Sequence, residues 1–216
     1  MATGKNIEKR SHIIGFKEEI DKASKKEGKT FWNWFDESGD KEIAFIRGSW
    51  DFSFHIANRI APFIQNPENK TCLDYGHGGG RMIFSACRHF KFSYGCDIHN
   101  CNELVKEEIE IRGSNNFKLV QGNGENIPLA NNSIDVVYSF IVLAHVEKIS
   151  IFKNIINEFY RVLNKNGICI IYFARPAKFS LGKRGLLLLL IDKILELILT
   201  FPKGYLEKER KVNETN

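Results

Sequence analysis

The sequence has no Cys-x-x-Cys pair, no internal repeat and no low-complexity tract. Its five cysteines, Cys72, Cys87, Cys96, Cys101 and Cys169, are odd in number and irregularly spaced. That excludes a disulfide framework and points to a reducing compartment. Cys96, His99 and Cys101 sit close together, but Cys96 reads as strand and no fourth ligand is evident, so no metal site is expected. Met1 to Ile20 is polar and carries lysines without an apolar stretch, so a secretory signal is not expected and the chain is placed in the cytoplasm. A basic stripe with interleaved aromatics is also missing, which argues against nucleic acid as a partner. Lys and Arg total 31 against 26 Asp and Glu, a net charge of +5 that favours an anionic partner or surface only mildly.

What is present suffices for one globular domain with a real core. Of 216 residues, 43% are hydrophobic, and Phe 17, Tyr 6 and Trp 3 supply enough apolar surface to offset chain entropy. Three regions follow: an N-terminal helical cap segment (1–69), a core (70–175) and a C-terminal amphipathic helix with a polar tail (176–216). In the first, Ile13, Phe16, Ile20 and Ala23 recur at helical spacing. An aromatic cluster of Phe31, Trp32, Trp34 and Phe35 follows. A second helix is expected from about Ala44 towards Phe63, carrying Trp50, Phe52, Phe54, Ile56 and Ile60.

From Lys70 the pattern alternates short apolar runs with amphipathic helices. Strands are expected at Thr71–Tyr75, Phe92–Cys96, Phe117–Val120, Ile134–Ser139 and Ile168–Phe173. Between them fall a helix over Arg81–Phe90 with Met82, Ile83, Ala86 and Phe90 inward, and one from Asn102 with Leu104, Val105 and Ile109 inward. A third carries Ile151, Phe152, Ile155, Ile156, Phe159 and Leu163, and Asn164 to Gly167 ends it. This alternation predicts an α/β fold: a doubly wound, Rossmann-like, mostly parallel sheet with helices on both faces. Ligands of such sheets sit at the carboxyl ends of the strands beside the switch point, so the loops after Tyr75, Cys96, Val120 and Ser139 matter most.

The first of these loops is Asp74-Tyr75-Gly76-His77-Gly78-Gly79-Gly80-Arg81. Glycine here lets the backbone turn sharply and a ligand approach closely. A dinucleotide fingerprint needs glycine at the sixth position counted from Gly76, where Arg81 stands, and this argues against NAD. Asp97 follows about twenty residues later, where a ribose-binding acid belongs; an ordinary strand-end or helix-capping acid is the competing reading.

Leu73 to Gly80 resembles motif I of the class I S-adenosylmethionine-dependent methyltransferases. Three further stretches match in order: Tyr94-Gly95-Cys96-Asp97-Ile98, Gly122 to Leu129, and Ser133 to Ser139 running on to Val142-Leu143-Ala144-His145-Val146. Glu158 to Leu163 with Asn166-Gly167 resembles the helix and turn before the fifth strand. The resemblance spans roughly residues 70 to 175. It implies S-adenosylmethionine as cofactor, with Asp74 at the ammonium end of its methionine, Asp97 on the ribose hydroxyls and the Gly122 stretch along the adenine. The implied cofactor-binding residues are Asp74, Tyr75, Gly76, Gly78, Gly80, Asp97, Ile98, Asn123, Gly124, Glu125 and Ser139. His77 and Asn123 depart from the family pattern. His77 reads as a bystander, and Asn123 still offers an acceptor and a donor to an adenine edge.

Methyl transfer needs alignment first and a general base only if the acceptor must lose a proton. Candidates for such a group are His145, which also reads as a structural histidine, and His55 and Asp51. The adenine amino-methylating enzymes carry N-P-P-Y or D-P-P-Y after the fourth strand, where this chain has Tyr138-Ser139-Phe140-Ile141. The resemblance therefore implies methyl transfer to an O or N atom of a small acceptor such as a sugar, a lipid-linked compound or another biosynthetic intermediate. Trp32, Trp34, Trp50 and Phe54 either wall the acceptor pocket or cover one edge of the sheet. The alternative function is a non-catalytic cofactor-binding protein that docks to a membrane or partner. Residues 186–201, an apolar helix with basic flanks, either pack on the sheet or provide peripheral membrane contact or a homodimer contact. The antiparallel hairpin that usually ends the methyltransferase sheet is not found in the sequence, where Glu207 to Asn216 is polar.

Overall fold

The computed structural model describes Ile20, Trp32 and residues 40–146 and 149–172. Five strands form one sheet: β1 (Thr71–Tyr75), β2 (Phe92–Asp97), β3 (Phe117–Gln121), β4 (Ile134–Phe140) and β5 (Leu163–Tyr172). Their order is β3-β2-β1-β4-β5 and every pairing is parallel. The chain works outward from β1 to β3, then returns to the other side of β1. The switch point therefore lies between β1 and β4, where a cleft opens at the strands' carboxyl ends.

Four helices position the sheet: α1 (Lys41–Asp51), α2 (Arg81–Ala86), α3 (Asn102–Ile111) and α4 (Ile149–Val162). α4 covers one face, burying Ile155, Phe159 and Val162 at i, i+4 and i+7 against Leu73, Tyr75 and Val137. The other face takes α2, with Ile83 and Phe84 meeting Val105 and Ile109 of α3 and Phe45 of α1. A fully buried side chain of this size contributes about 1.5–3 kcal/mol.

α1 starts three residues earlier than its hydrophobic pattern indicates, because the Asp40 side chain caps it, accepting from the amides of Glu42 (2.8 Å) and Ile43 (3.3 Å). Beyond Asp51 the chain widens into a π-helical segment, Phe52–Ala57, before a last short turn, Asn58–Ile60. The wider turn explains the spacing: Phe52, Ile56 and Ile60 repeat every four residues and all face the sheet, at 0%, 0% and 4% exposure. Trp50 and Phe54 point outward instead, at 69% and 64% exposure.

Two helical expectations are corrected. Leu104 is exposed, because Val105 and Ile109 alone form the inward stripe of this short helix. Leu163 is no longer helical; it opens β5 and pairs with Ile134. Residues 164–167 then bulge opposite Asp135 before pairing resumes at Val136 and Ile168. Asn164 Nδ2 closes the bulge by donating to Asp135 Oδ1 (3.0 Å). The expected helix around Ile13, the Phe31, Trp34 and Phe35 positions, residues 186–201 and the C-terminal stretch in which no hairpin is expected lie outside the described residues.

Candidate functional site

A cleft of about 250 Å³ opens at the carboxyl ends of β1, β2 and β4. The glycine loop forms its floor. Gly76, Gly78 and Gly80 adopt φ of 84°, 52° and 82°, values that a Cβ disfavours. Space is as limiting as conformation: a Cβ on Gly76 would lie 2.2 Å from Val142 Cγ2, and one on Gly80 2.5 Å from Val105 Cγ1. Gly80 thus lets the loop seat against α3.

Eight of the expected residues line the cleft: Asp74, Tyr75, Gly76, Gly78, Asp97, Ile98, Gly124 and His145. The others stand behind or outside it. Gly80 packs on α3, as above. Ser139 is fully buried and donates its hydroxyl to the Tyr75 carbonyl (3.0 Å), fastening β4 to the end of β1. Asn123 spends its side-chain oxygen on its own loop, accepting from the Glu125 (3.0 Å) and Asn126 (2.8 Å) amides. Glu125 does not line the cleft. His55 sits in an aromatic cluster with Phe140 and Tyr172, at ring distances of 5.1 and 5.0 Å. Asp51 pairs with Arg81, holding that guanidinium at the cleft wall.

Of the aromatics proposed for the acceptor wall, Trp32 packs on Phe45 (6.3 Å between centroids), Trp50 and Phe54 face outward, and Trp34 lies outside the described residues. The wall is instead aliphatic and aromatic from other elements: Ile20, Met82, Phe140, Ile141, Val142 and Val146. Sequence reasoning missed these. One available signal was the position of Phe140 to Val146 just past a strand end at the switch point. Ile141 itself adopts φ 68°, a costly conformation for a β-branched residue.

Two carboxylates give the cleft its chemistry. Asp74 is 3% exposed, and burial raises its pKa to about 8. The Tyr138 hydroxyl leans towards it and pulls the value back somewhat, yet the two do not close a well-formed hydrogen bond. Asp74 Oδ2 and the Tyr138 hydroxyl are both buried without a hydrogen-bond partner. A buried carboxyl in this state either keeps its proton or is completed by a cation. Asp97 differs. Burial pushes its pKa up, but the imidazoles of His99 and His77 and the amides of Gly78 (2.8 Å) and Ile98 (2.7 Å) more than offset this and keep it ionised. Its remaining acceptor capacity faces the cleft and suits hydroxyl donors. An ammonium and a diol, the two groups expected of the cofactor, fit these positions. Tyr75 completes the frame by donating its hydroxyl to the Gly124 carbonyl (3.1 Å), which ties β1 to the loop after β3.

His77, Asp97 and His99 bring potential metal-ligating atoms within 4.8 Å of one another, a grouping that does not include Cys96 or Cys101. Hydrogen bonding decides against a metal here. The Cys101 amide donates to His99 Nδ1 (3.1 Å), so the ring proton is on Nε2, which faces Gly78 O at 3.0 Å. A metal-bound imidazole needs the opposite arrangement, with its other nitrogen donating outward.

The sequence matches the methyltransferase-domain family over residues 73–171. No curated protein sequence matches the chain. Among solved structures, an S-adenosylmethionine-dependent methyltransferase from Aquifex aeolicus is 16% identical, with 73% of this chain and 86% of that one covered and a TM-score of 0.51. The YcgJ protein from Bacillus subtilis is 20% identical with a TM-score of 0.48 over 55% of this chain. This chain covers 50% of the Bacillus protein's length. A methyltransferase from Mesorhizobium loti is 17% identical, covering 55% of this chain and 53% of that one, with a TM-score of 0.44. The glycine loop and its two acids fall within the match to the methyltransferase-domain family over residues 73–171, and the parallel sheet has the fold of the Aquifex enzyme.

Proposed function

We propose that the chain transfers a methyl group from S-adenosylmethionine to an O or N atom of a small acceptor with an apolar body. One observation carries the reading: Asp74 and Asp97 face a single cleft from the ends of adjacent strands, on either side of an open glycine loop. The cofactor, when bound, supplies an already activated methyl carbon. The chain's own part is to hold and align. Asp74 would release its proton to solvent and pair with the ammonium, Asp97 would accept from the ribose hydroxyls, and Gly78 leaves room for both. On the acceptor side, Ile20, Met82, Phe140 and Val146 exclude water and favour an apolar body over a highly charged one. His145 is the cleft-lining member of the three candidate bases and takes the acceptor's proton where the chemistry requires it.

No helix among the described residues is long and apolar enough to cross a membrane. Peripheral contact or dimerisation through residues 186–201 remains part of the proposal, tested by liposome sedimentation with and without that segment. The central test is calorimetry with S-adenosylmethionine, S-adenosylhomocysteine and NAD, followed by transfer of labelled methyl to an extract of metabolites. Micromolar binding of the first two, lost at least tenfold in Asp97→Ala, is expected. Binding of NAD alone would overturn the reading, and cofactor binding without any turnover would favour the non-catalytic alternative.

A further inference from the structure

His77 and His99 approach one carbonyl from two sides. His77 Nδ1 and His99 Nε2 each stand 3.0 Å from Gly78 O, and the two rings lie 5.0 Å apart at 84°. The tautomer of each follows from its second nitrogen. His99 Nδ1 accepts from the Cys101 amide, which leaves Nε2–H as the donor. His77 is almost fully buried, and burial lowers its pKa so that it is neutral at neutral pH. His77 Nε2 stands 3.1 Å from Asn102 Oδ1; with Nδ1–H donating to Gly78 that nitrogen accepts, which requires the Asn102 amide in its flipped orientation with NH2 towards the ring. Both lone pairs of the Gly78 carbonyl are thereby used. On the other side of the same residue, Gly78 N–H donates to Asp97 Oδ2 at 2.8 Å. Gly78 holds φ 52°, and its flanking peptides are fixed from both ends.

We propose that His77 and His99 are positioning residues that together clamp the Gly78 peptide and, through its N–H, orient Asp97 for the ribose hydroxyls. The inference rests on the cofactor reading above and extends it to two side chains that need not touch the cofactor. A free glycine at this place samples many backbone states, and the observed one turns its N–H to Asp97. The clamp removes that freedom before the ligand arrives, which is where affinity is gained. His77 departs from the family pattern at this loop position, so this device belongs to the particular sequence of this chain.

The two donors can be imitated separately. Asn at 77 places an amide NH2 near the former Nδ1, and Gln at 99 places one near the former Nε2. In His77→Ala and His99→Ala, affinity for S-adenosylhomocysteine is expected to fall about tenfold each, the value of one net hydrogen bond. His77→Asn and His99→Gln should recover most of it. The wild-type preference for S-adenosylhomocysteine over its 2′-deoxy analogue should shrink in the alanine variants, since only the diol reads the Asp97 orientation. A 15N spectrum of the ligand-free chain should show the proton on Nδ1 of His77 and on Nε2 of His99. The opposite tautomers, alanine variants of unchanged affinity, or equal losses for both ligands without recovery in the Asn and Gln variants would overturn the clamp. Wild-type protein that shows these tautomers but binds neither ligand would instead overturn the cofactor reading on which it rests.

Discussion

Gly48 lies directly against the backbone of Arg81: a Cβ at position 48 would stand 2.5 Å from the Arg81 carbonyl oxygen. One turn further along the same helix, Asp51 pairs with the Arg81 side chain. Ser49, between them, receives the Ser85 hydroxyl at 2.8 Å. α1 is therefore joined to the first turn of α2, the helix that begins where the glycine loop ends.

This contact predicts that Gly48→Ala is destabilising although alanine is the better helix former. The propensity gain is about 1 kcal/mol, while the clash is with backbone and cannot be relieved by a rotamer change. Overpacking of this kind costs about 1–3 kcal/mol. A lower midpoint in urea with unchanged slope is the expected result, and an unchanged or higher midpoint would refute the contact.

The raised pKa of Asp74 makes cofactor binding a proton-linked event. At pH 7 a carboxyl with a pKa of about 8 is about nine-tenths protonated, and pairing with an ammonium drives that proton off. Titrations of S-adenosylhomocysteine in buffers of different ionisation enthalpy should show release of close to one proton. Affinity should rise about tenfold between pH 6 and pH 7. Asp74→Asn should bind more weakly and lose the slope. The sign for stability is opposite: a folded pKa above the unfolded value means the fold binds the proton more tightly. The ligand-free chain then loses stability as pH rises from about 4 to about 8.

Ile141 carries a strained backbone at the cleft wall, on the side proposed for the acceptor. Replacing it with glycine relieves about 1–2 kcal/mol of left-handed strain, against about 0.5–1 kcal/mol of added chain entropy and the loss of a half-exposed side chain. Thermal stability of Ile141→Gly should stay within about 1 kcal/mol of wild type. The KM for the acceptor should rise while cofactor affinity holds. A loss confined to cofactor affinity would remove Ile141 from the acceptor side.

Arg161 serves the loop after β3 from α4. Its guanidinium donates to Ile127 O (2.7 Å), Leu129 O (2.9 Å) and Asn131 Oδ1 (2.7 Å), while Glu158 accepts from the Ile127 amide (2.8 Å). Hydrogen bonds from Arg161 hold Glu158 below the ordinary carboxylate range. Arg161→Ala should cost about 2–3 kcal/mol and weaken cofactor binding through the slackened loop. Hydrogen exchange at the Ile127 and Leu129 amides would report it directly.

Much of this could be read in advance because strand ends and glycine loops announce themselves locally. Asp74, Gly76, Gly78 and Asp97 were legible for that reason, and so was the parallel sheet. The misreadings have a common cause in tertiary choices that spacing does not encode. Ser139 matches a motif yet turns to Tyr75 instead of the cleft, because a strand residue's face depends on the register of its neighbours. The outward direction of Trp50 and Phe54 depends on a π-helical widening that aligns Phe52, Ile56 and Ile60 with the sheet. The contact of His77 with His99 could not be read from spacing either, since His99 lies on another strand's loop.

Tyr75 accepts from Ser139 at its carbonyl and reaches Gly124 with its hydroxyl, so one residue at the tip of β1 splices three rims of the cavity. The two ties are separable: Tyr75→Phe would loosen the Gly124 rim while the Ser139 tie to the carbonyl stays.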